Sequence, residues 1–134
     1  MTTIETNYPG ELRTHATHVR SGNTLITDAP LDNKVKVEAF SPTDLLATSL
    51  GSCAMTIICI AAQTHGFNVD GTRIWITKIM AEKPRRVGEV VVEFDFQKND
   101  YSDQEKAIIE NAARTCPVAK SLSPEMKQTF IFNY

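Results

Sequence analysis

The stretch Ser41-Pro42-Thr43-Asp44-Leu45-Leu46-Ala47-Thr48-Ser49-Leu50-Gly51-Ser52-Cys53 decides how this chain folds. Ser41 has the side chain of a helix N-cap. Pro42 suits the first helical position, where its missing N–H costs nothing. The apolar run continues to His65, and Gly66 supplies a residue able to take the left-handed C-terminal stop. A long helix from Pro42 to about His65 is predicted, with Cys53 inside it. Leu46, Leu50, Ile57, Ile58 and Ile60 spread apolar side chains over every face of this helix. A helix that is apolar all round is enclosed by other structure. A chain of 134 residues can hardly surround it with its own sheet, so a homodimer with helix against helix is expected.

The rest of the chain is ordinary for one globular domain spanning 1–134. Hydrophobic residues make up 42% and charged residues 22%, and a net charge of −2 offers no footprint for nucleic acid. The basic cluster Lys83-Pro84-Arg85-Arg86 reads as a solvated hairpin tip. The apolar stretch from Leu45 to Ala62 is interrupted by Thr48, Ser49, Ser52 and Thr56, and it reads as a buried helix rather than a membrane span. Met1-Thr2-Thr3-Ile4-Glu5 has no basic segment followed by an apolar run, so no signal peptide is expected. The 3 cysteines, an odd number, then point to reduced thiols in the cytoplasm.

Residues 11–20 and 24–28 read as two strands joined at Ser21-Gly22-Asn23, and Val35-Lys36-Val37 as a third after turns around Asp28-Ala29-Pro30 and Asp32-Asn33. Thr72 to Glu82 and Glu89 to Gln97 form a hairpin through a turn at Pro84 to Gly88. In the second strand Val90, Val92, Phe94 and Phe96 line one face. Ser102-Asp103-Gln104-Glu105 is a capping box opening a helix whose inner face carries Ile108, Ile109, Ala112 and Ala113. Pro117 disfavours helical geometry at Cys116, so that helix should end near Thr115. Thr129 to Phe132 closes the chain as a strand.

Cysteine in such a helix is either core filler or a nucleophile. A thiol with pKa near 8.5 is only about 3% ionised at neutral pH, so a nucleophile needs activation. Cys53 lies about three turns into its helix, beyond the reach of the helix dipole, and a cationic side chain must activate it. Cys116 differs: if Pro117 opens a new helical turn, Cys116 is its N-cap, where backbone N–H groups favour a thiolate. Cys59 is rotated about 240° from Cys53 and displaced by about 9 Å along the axis, too far for a disulfide, and reads as core or interface filler. His15, His18 and His65 have no ligand spacing that suggests a metal site, and no Gly-rich loop suggests a nucleotide.

The ordered set Ser41-Pro42-x-Asp44-Leu45, Cys53, Gly66 and Cys116-Pro117-Val118 resembles the OsmC/Ohr family of thiol-dependent peroxidases of osmotic and organic-hydroperoxide stress. The resemblance covers essentially the whole chain. It implies an α+β, OsmC-like fold, an antiparallel sheet with a long buried central helix, in which two such helices pack back to back in an intertwined homodimer, with no cofactor. It also implies that Cys53 attacks organic hydroperoxides or hydrogen peroxide and becomes a sulfenic acid. Cys116 would then condense with it to a disulfide that a dithiol reductant restores. A family arginine in the turn after the first strand activates the thiolate. Arg20 aligns best with it, Arg13 less well, and Arg85 or Arg86 would be a different solution. Where well-studied members carry a glutamate after the proline, this chain has Thr43, with the acid one residue later as Asp44. Asp44 is either part of the site or a first-turn residue complementing the helix dipole. The alternative to a peroxidase is a non-catalytic dimer of the same fold that senses redox state or binds a small ligand.

Overall fold

A computed structural model of the chain describes residues 1–29 and 38–134. Three strands come first, β1 (Ile4–Gly10), β2 (Arg13–His18) and β3 (Thr24–Thr27), followed by the helix α1 (Pro42–Thr64). Strands β4 (Arg73–Ala81) and β5 (Arg86–Asp95), helices α2 (Asp103–Arg114) and α3 (Pro117–Ser121), and strand β6 (Lys127–Asn133) complete it. The class is α+β, as expected. The chain divides into two units, Met1–Leu45 and Leu46–Tyr134.

In Met1–Leu45 the strands form an antiparallel sheet in the order β1-β2-β3. β2 and β3 occupy the two segments expected for strands. In the turn between them His18 N–H donates to the Asn23 carbonyl and Gly22 N–H to the His18 carbonyl, both at 2.8 Å. β1 has no counterpart in the sequence reading. Its residues are exposed on both faces, so no alternation of apolar and polar side chains marks it, and pairing with β2 defines it instead. The strand expected at Val35-Lys36-Val37 lies outside the described residues. Among the described residues of this unit the buried ones are Thr27, Asp28 and Ser41, all polar, while Ile4, Tyr8, Leu25 and Ile26 are each at least 40% exposed.

α1 begins where the sequence puts it. Ser41 Oγ accepts the Asp44 N–H at 3.1 Å and the Asp44 carboxylate accepts the Ser41 N–H at 3.0 Å, a reciprocal capping box. At its far end Phe67 N–H donates to the Ala62 carbonyl at 2.9 Å and Gly66 N–H to that of Gln63 at 3.3 Å. Gly66, at φ 78°, provides the left-handed residue of this Schellman stop. The hydroxyls of Ser49, Thr56 and Thr64 bond back to carbonyls of the preceding turn, so these polar groups find partners in the helix itself. With a window of mean hydropathy 2.0, α1 is long and apolar enough to cross a membrane by length and composition.

In Leu46–Tyr134 the helix instead sets Ala47, Leu50, Ala54, Ile58 and Ala62 into the core, a stripe at helical spacing. A Cβ at Gly51 would overlap the Ile76 side chain, so glycine is what lets α1 lie this close to β4. The sheet runs β4-β5-β6. Val90, Val92 and Phe94 of β5 are fully buried, as their alternation predicts. β4 and β5 are antiparallel, whereas β6 joins β5 in parallel. Parallel pairing needs a long crossover, which α2 and α3 supply. Stacked rings fill the layer beneath α2, with Phe94 on Phe132 at 5.3 Å and Phe96 on Tyr134 at 5.2 Å. The capping box at Ser102 and Glu105 is present.

The β4–β5 turn is tighter than expected. β5 starts at Arg86, and Gly88 lies within the strand at a bulge opposite Ile79 and Met80, where a Cβ would come within 2.8 Å of the Ala81 Cβ. Arg86 donates to the Glu82 and Pro84 carbonyls, both at 2.9 Å, which makes it a structural clasp of the turn.

Candidate active site

Two thiols meet in the second unit. Cys53, half-buried on α1, packs against the core stripe. Cys116 is fully buried and is the N-cap of α3, held extended at φ −64° and ψ 151° ahead of Pro117. Its sulfur accepts the Ala119 N–H at 3.4 Å. Burial pushes the Cys116 thiol above its ordinary value, and a hydrogen bond with Cys53 that favours its protonated form adds to this. Backbone N–H groups of Ala119 and Val118 pull the other way. The expected N-cap effect is therefore present, but burial outweighs it, because no water remains to solvate the thiolate. Cys59, on another face of α1, is half-buried among core neighbours.

Arg13, Arg20 and Asp44 belong to the first unit. Arg20 is exposed in the turn between β2 and β3. Arg13, the first residue of β2, forms a two-pronged pair with Asp28: Nε donates to Oδ1 at 2.6 Å and Nη2 to Oδ2 at 3.0 Å. Glu38 lies 3.6 Å from the same Nη2. Hydrogen bonds from Arg13 hold the Asp28 carboxyl down to about 2, and the backbone N–H of Glu38 helps. The pair raises the Arg13 guanidinium in turn. Both line a cleft of about 590 Å³ with Gly10, Glu11, Leu12 and Glu38.

Asp44 sits in the capping box of α1, the first-turn position foreseen as one of its two readings. Thr43, where well-studied relatives carry glutamate, shares a hydrogen bond of 3.2 Å with the Ser41 hydroxyl. Sequence reasoning missed Asp28. An aspartate before Ala29-Pro30 carries the signature of a turn, and nothing local distinguishes a turn carboxylate from one that is only 4% exposed. Among the described residues, no three His, Cys, Asp or Glu side chains are grouped as a metal site.

Residues 32–130 match the family described as OsmC-like protein. A crystal structure from Psychrobacter arcticus 273-4, whose suggested role is in osmotic stress induction and detoxification response, is 50% identical, with a TM-score of 0.94 over 99% of this chain and 96% of that one. The organic hydroperoxide resistance protein OsmC from Legionella pneumophila is 14% identical, with a TM-score of 0.76 over 100% of this chain and 98% of that one. OhrB, the organic hydroperoxide resistance protein of Bacillus subtilis, is 15% identical, with a TM-score of 0.71 over 98% of each chain. At such identities the last two speak to the fold alone. No curated protein matches significantly.

Proposed function

The chain belongs to the OsmC-like family, and on that premise we propose that it is a thiol-dependent peroxidase acting through Cys53 and Cys116. The observation that carries this reading is that Cys53 and Cys116, far apart in the chain, come together and interact in one packed core. The Cys53 thiolate attacks the outer peroxide oxygen, the O–O bond breaks, and the leaving alkoxide takes a proton to depart as an alcohol or, from hydrogen peroxide, as water. Cys53 is left as a sulfenic acid. Cys116 then displaces its hydroxyl, giving the Cys53–Cys116 disulfide and water. A dithiol reduces that bond by exchange and leaves as its own disulfide.

A cation must favour the Cys53 thiolate, and Arg20 and Arg13 are the candidates for it. The family arginine follows the first strand. Counting from residue 11 as that strand pointed to Arg20, but β1 precedes it, and the turn after β1 leads directly into Arg13. Arg13 is also held by partners, whereas Arg20 is exposed.

The protein acts as a homodimer in this reading. The first sheet has no apolar core of its own among the described residues, and in the second unit Ile60 of α1 and Trp75 of β4 are 53% and 50% exposed. A second copy would cover such surfaces.

Intact mass spectrometry after mild cumene hydroperoxide treatment should show a species lighter by two hydrogens, mapping to a Cys53–Cys116 peptide pair. With dithiothreitol present, peroxide should be consumed catalytically by the native protein and not by Cys53→Ser. Consumption unchanged by that substitution would remove the peroxidase reading. The complete burial of Cys116 favours a redox sensor as the second reading, because it shields the disulfide from reductant. One round of oxidation without turnover would point to it.

A further inference from the structure

We infer that Gln128 is a positioning residue for the joining of Cys116 to Cys53, holding from β6 the short helix that carries Cys116. This rests on the roles given to the two cysteines above. Gln128 breaks a pattern. β6 sets Gln128, Phe130 and Phe132 beside Val90, Val92 and Phe94 of β5, the face of β5 that is fully buried. Two rings continue that face, whereas the first place is taken by a partly buried amide. An amide withdrawn from water is costly unless it is hydrogen-bonded, and Gln128 Nε2 donates to the Ala119 carbonyl at 2.9 Å.

That carbonyl needs a partner from outside its helix. The last four carbonyls of a helix have none within it, and α3 has only 5 residues, too few to be stable alone. The peptide between Ala119 and Lys120 is bonded at both ends. Its oxygen accepts from Gln128, and its N–H, that of Lys120, donates to the Cys116 carbonyl at 3.1 Å. One residue earlier the Ala119 N–H reaches the Cys116 sulfur at 3.4 Å. Cys116 is thus held by its sulfur and by its carbonyl through two successive amides, and Gln128 anchors the second of them to the sheet. Bonds in such a chain polarise and strengthen one another.

Placement matters because of the step that Cys116 performs. Its sulfur attacks the sulfenic sulfur of Cys53, the S–S bond forms as the S–O bond breaks, and the hydroxyl leaves as water with the Cys116 proton. The incoming sulfur must approach opposite the departing oxygen, so a thiol that wanders loses rate steeply. Cys116 is fully buried and Ala119 is 8% exposed. Without the amide, the Ala119 carbonyl would find little water in exchange, and α3 would have to shift to satisfy it. The attack of Cys53 on its oxidant involves no atom of α3. Gln128 therefore acts on the second step and not on the first.

The test uses dithiobis(nitrobenzoate) in a Cys59→Ser background, where Cys53 and Cys116 are the remaining thiols. The Cys53 thiolate attacks the reagent, releasing one coloured nitrothiolate and leaving a mixed disulfide. Cys116 then displaces the second nitrothiolate, gives its proton to solvent and completes the Cys53–Cys116 bond. Gln128→Leu keeps the bulk of the side chain but donates nothing. It should slow the second release by about tenfold to about a hundredfold, the loss that a misplacement of about 1 Å brings, and change the first by less than about twofold. Gln128→Glu, an acceptor only when ionised, should slow the second release at neutral pH. Relative to the parent protein at each pH, it should recover as acid protonates it and restores a donor. A variant that stays slow in acid would place the effect in packing and overturn the inference. Equal slowing of both releases, or a parental second release in Gln128→Leu, would overturn it too. If Gln128→Leu fails to fold, Gln128→Glu with a parental second release at neutral pH overturns it equally. A parent protein with no second release has no such step to position, which ends the inference outright. A protein that shows both releases but consumes no cumene hydroperoxide sinks the peroxidase reading instead, and the two releases still decide the role of Gln128.

Discussion

Oxidising the Cys53–Cys116 pair should raise the stability of the fold by about 4 kcal/mol. The bond would close a loop of 63 residues between the two positions. The chain-entropy relation for a loop of that size gives about 14 cal/mol/K removed from the unfolded ensemble, or about 4 kcal/mol at 25 °C. The native state should give back little of this, because the two thiols already lie close enough to interact. Urea unfolding followed by the fluorescence of Trp75, the single tryptophan, measures it. Protein concentration must be held fixed, since self-association would couple to unfolding. With a slope typical of small proteins, the oxidised midpoint should lie roughly 2 M higher in urea. By linkage the folded protein should hold its disulfide roughly 90 mV more firmly than the unfolded chain does. An oxidised midpoint equal to or below the reduced one would refute the reasoning. Either the bond would strain the site, or oxidation would have joined another pair, and peptide mapping tells Cys53 from Cys59.

Four other outcomes are expected. Iodoacetamide at neutral pH should label half-buried Cys53 before Cys59 and fully buried Cys116, as peptide mass mapping would show; faster labelling of Cys59 would reverse the assignment of the reactive thiol. Light scattering at micromolar concentration should give twice the 14.9 kDa of one chain, and a stable monomer would remove the dimer. The Asp28 carboxyl sits at about 2 when folded and near 3.9 unfolded. Its contribution is therefore complete above about pH 4 and lost as pH falls toward about 2; Asp28→Asn should flatten that acid limb in urea midpoints. Leu50→Ala, at a side chain with no exposure, should cost about 3 kcal/mol of unfolding free energy.

What the sequence made legible was whatever has a local chemical cause. The cap at Ser41-Pro42, the stop at Gly66, the capping box at Ser102 and Glu105 and the alternation in β5 each depend on a few neighbouring side chains, and each sits where expected. β1 was illegible because it buries no face, and the parallel pairing of β6 because it depends on the path of α2 and α3 rather than on β6 itself. Because β1 comes first, Arg13 rather than Arg20 follows the first strand in chain order. The kinship of Cys53 and Cys116 was readable only through resemblance, since no spacing rule links residues this far apart in the chain. The rise in the Cys116 thiol was hidden for a different reason. The N-cap that favours its anion is a local feature, whereas the burial that opposes it belongs to the packed core.

The sulfur of Cys116 fills the place that a serine or aspartate oxygen usually takes at a helix start, receiving the Ala119 N–H. Serine would cap the five-residue α3 more firmly, but it could not change its oxidation state. With sulfur there, a single amide proton becomes a gauge of the thiol chemistry. Oxidation replaces the protonated thiol sulfur with one bonded to a second sulfur, so the Ala119 amide should move in proton resonance once the pair is oxidised. A redox event sealed away from solvent would then be readable, without a label, from one backbone position.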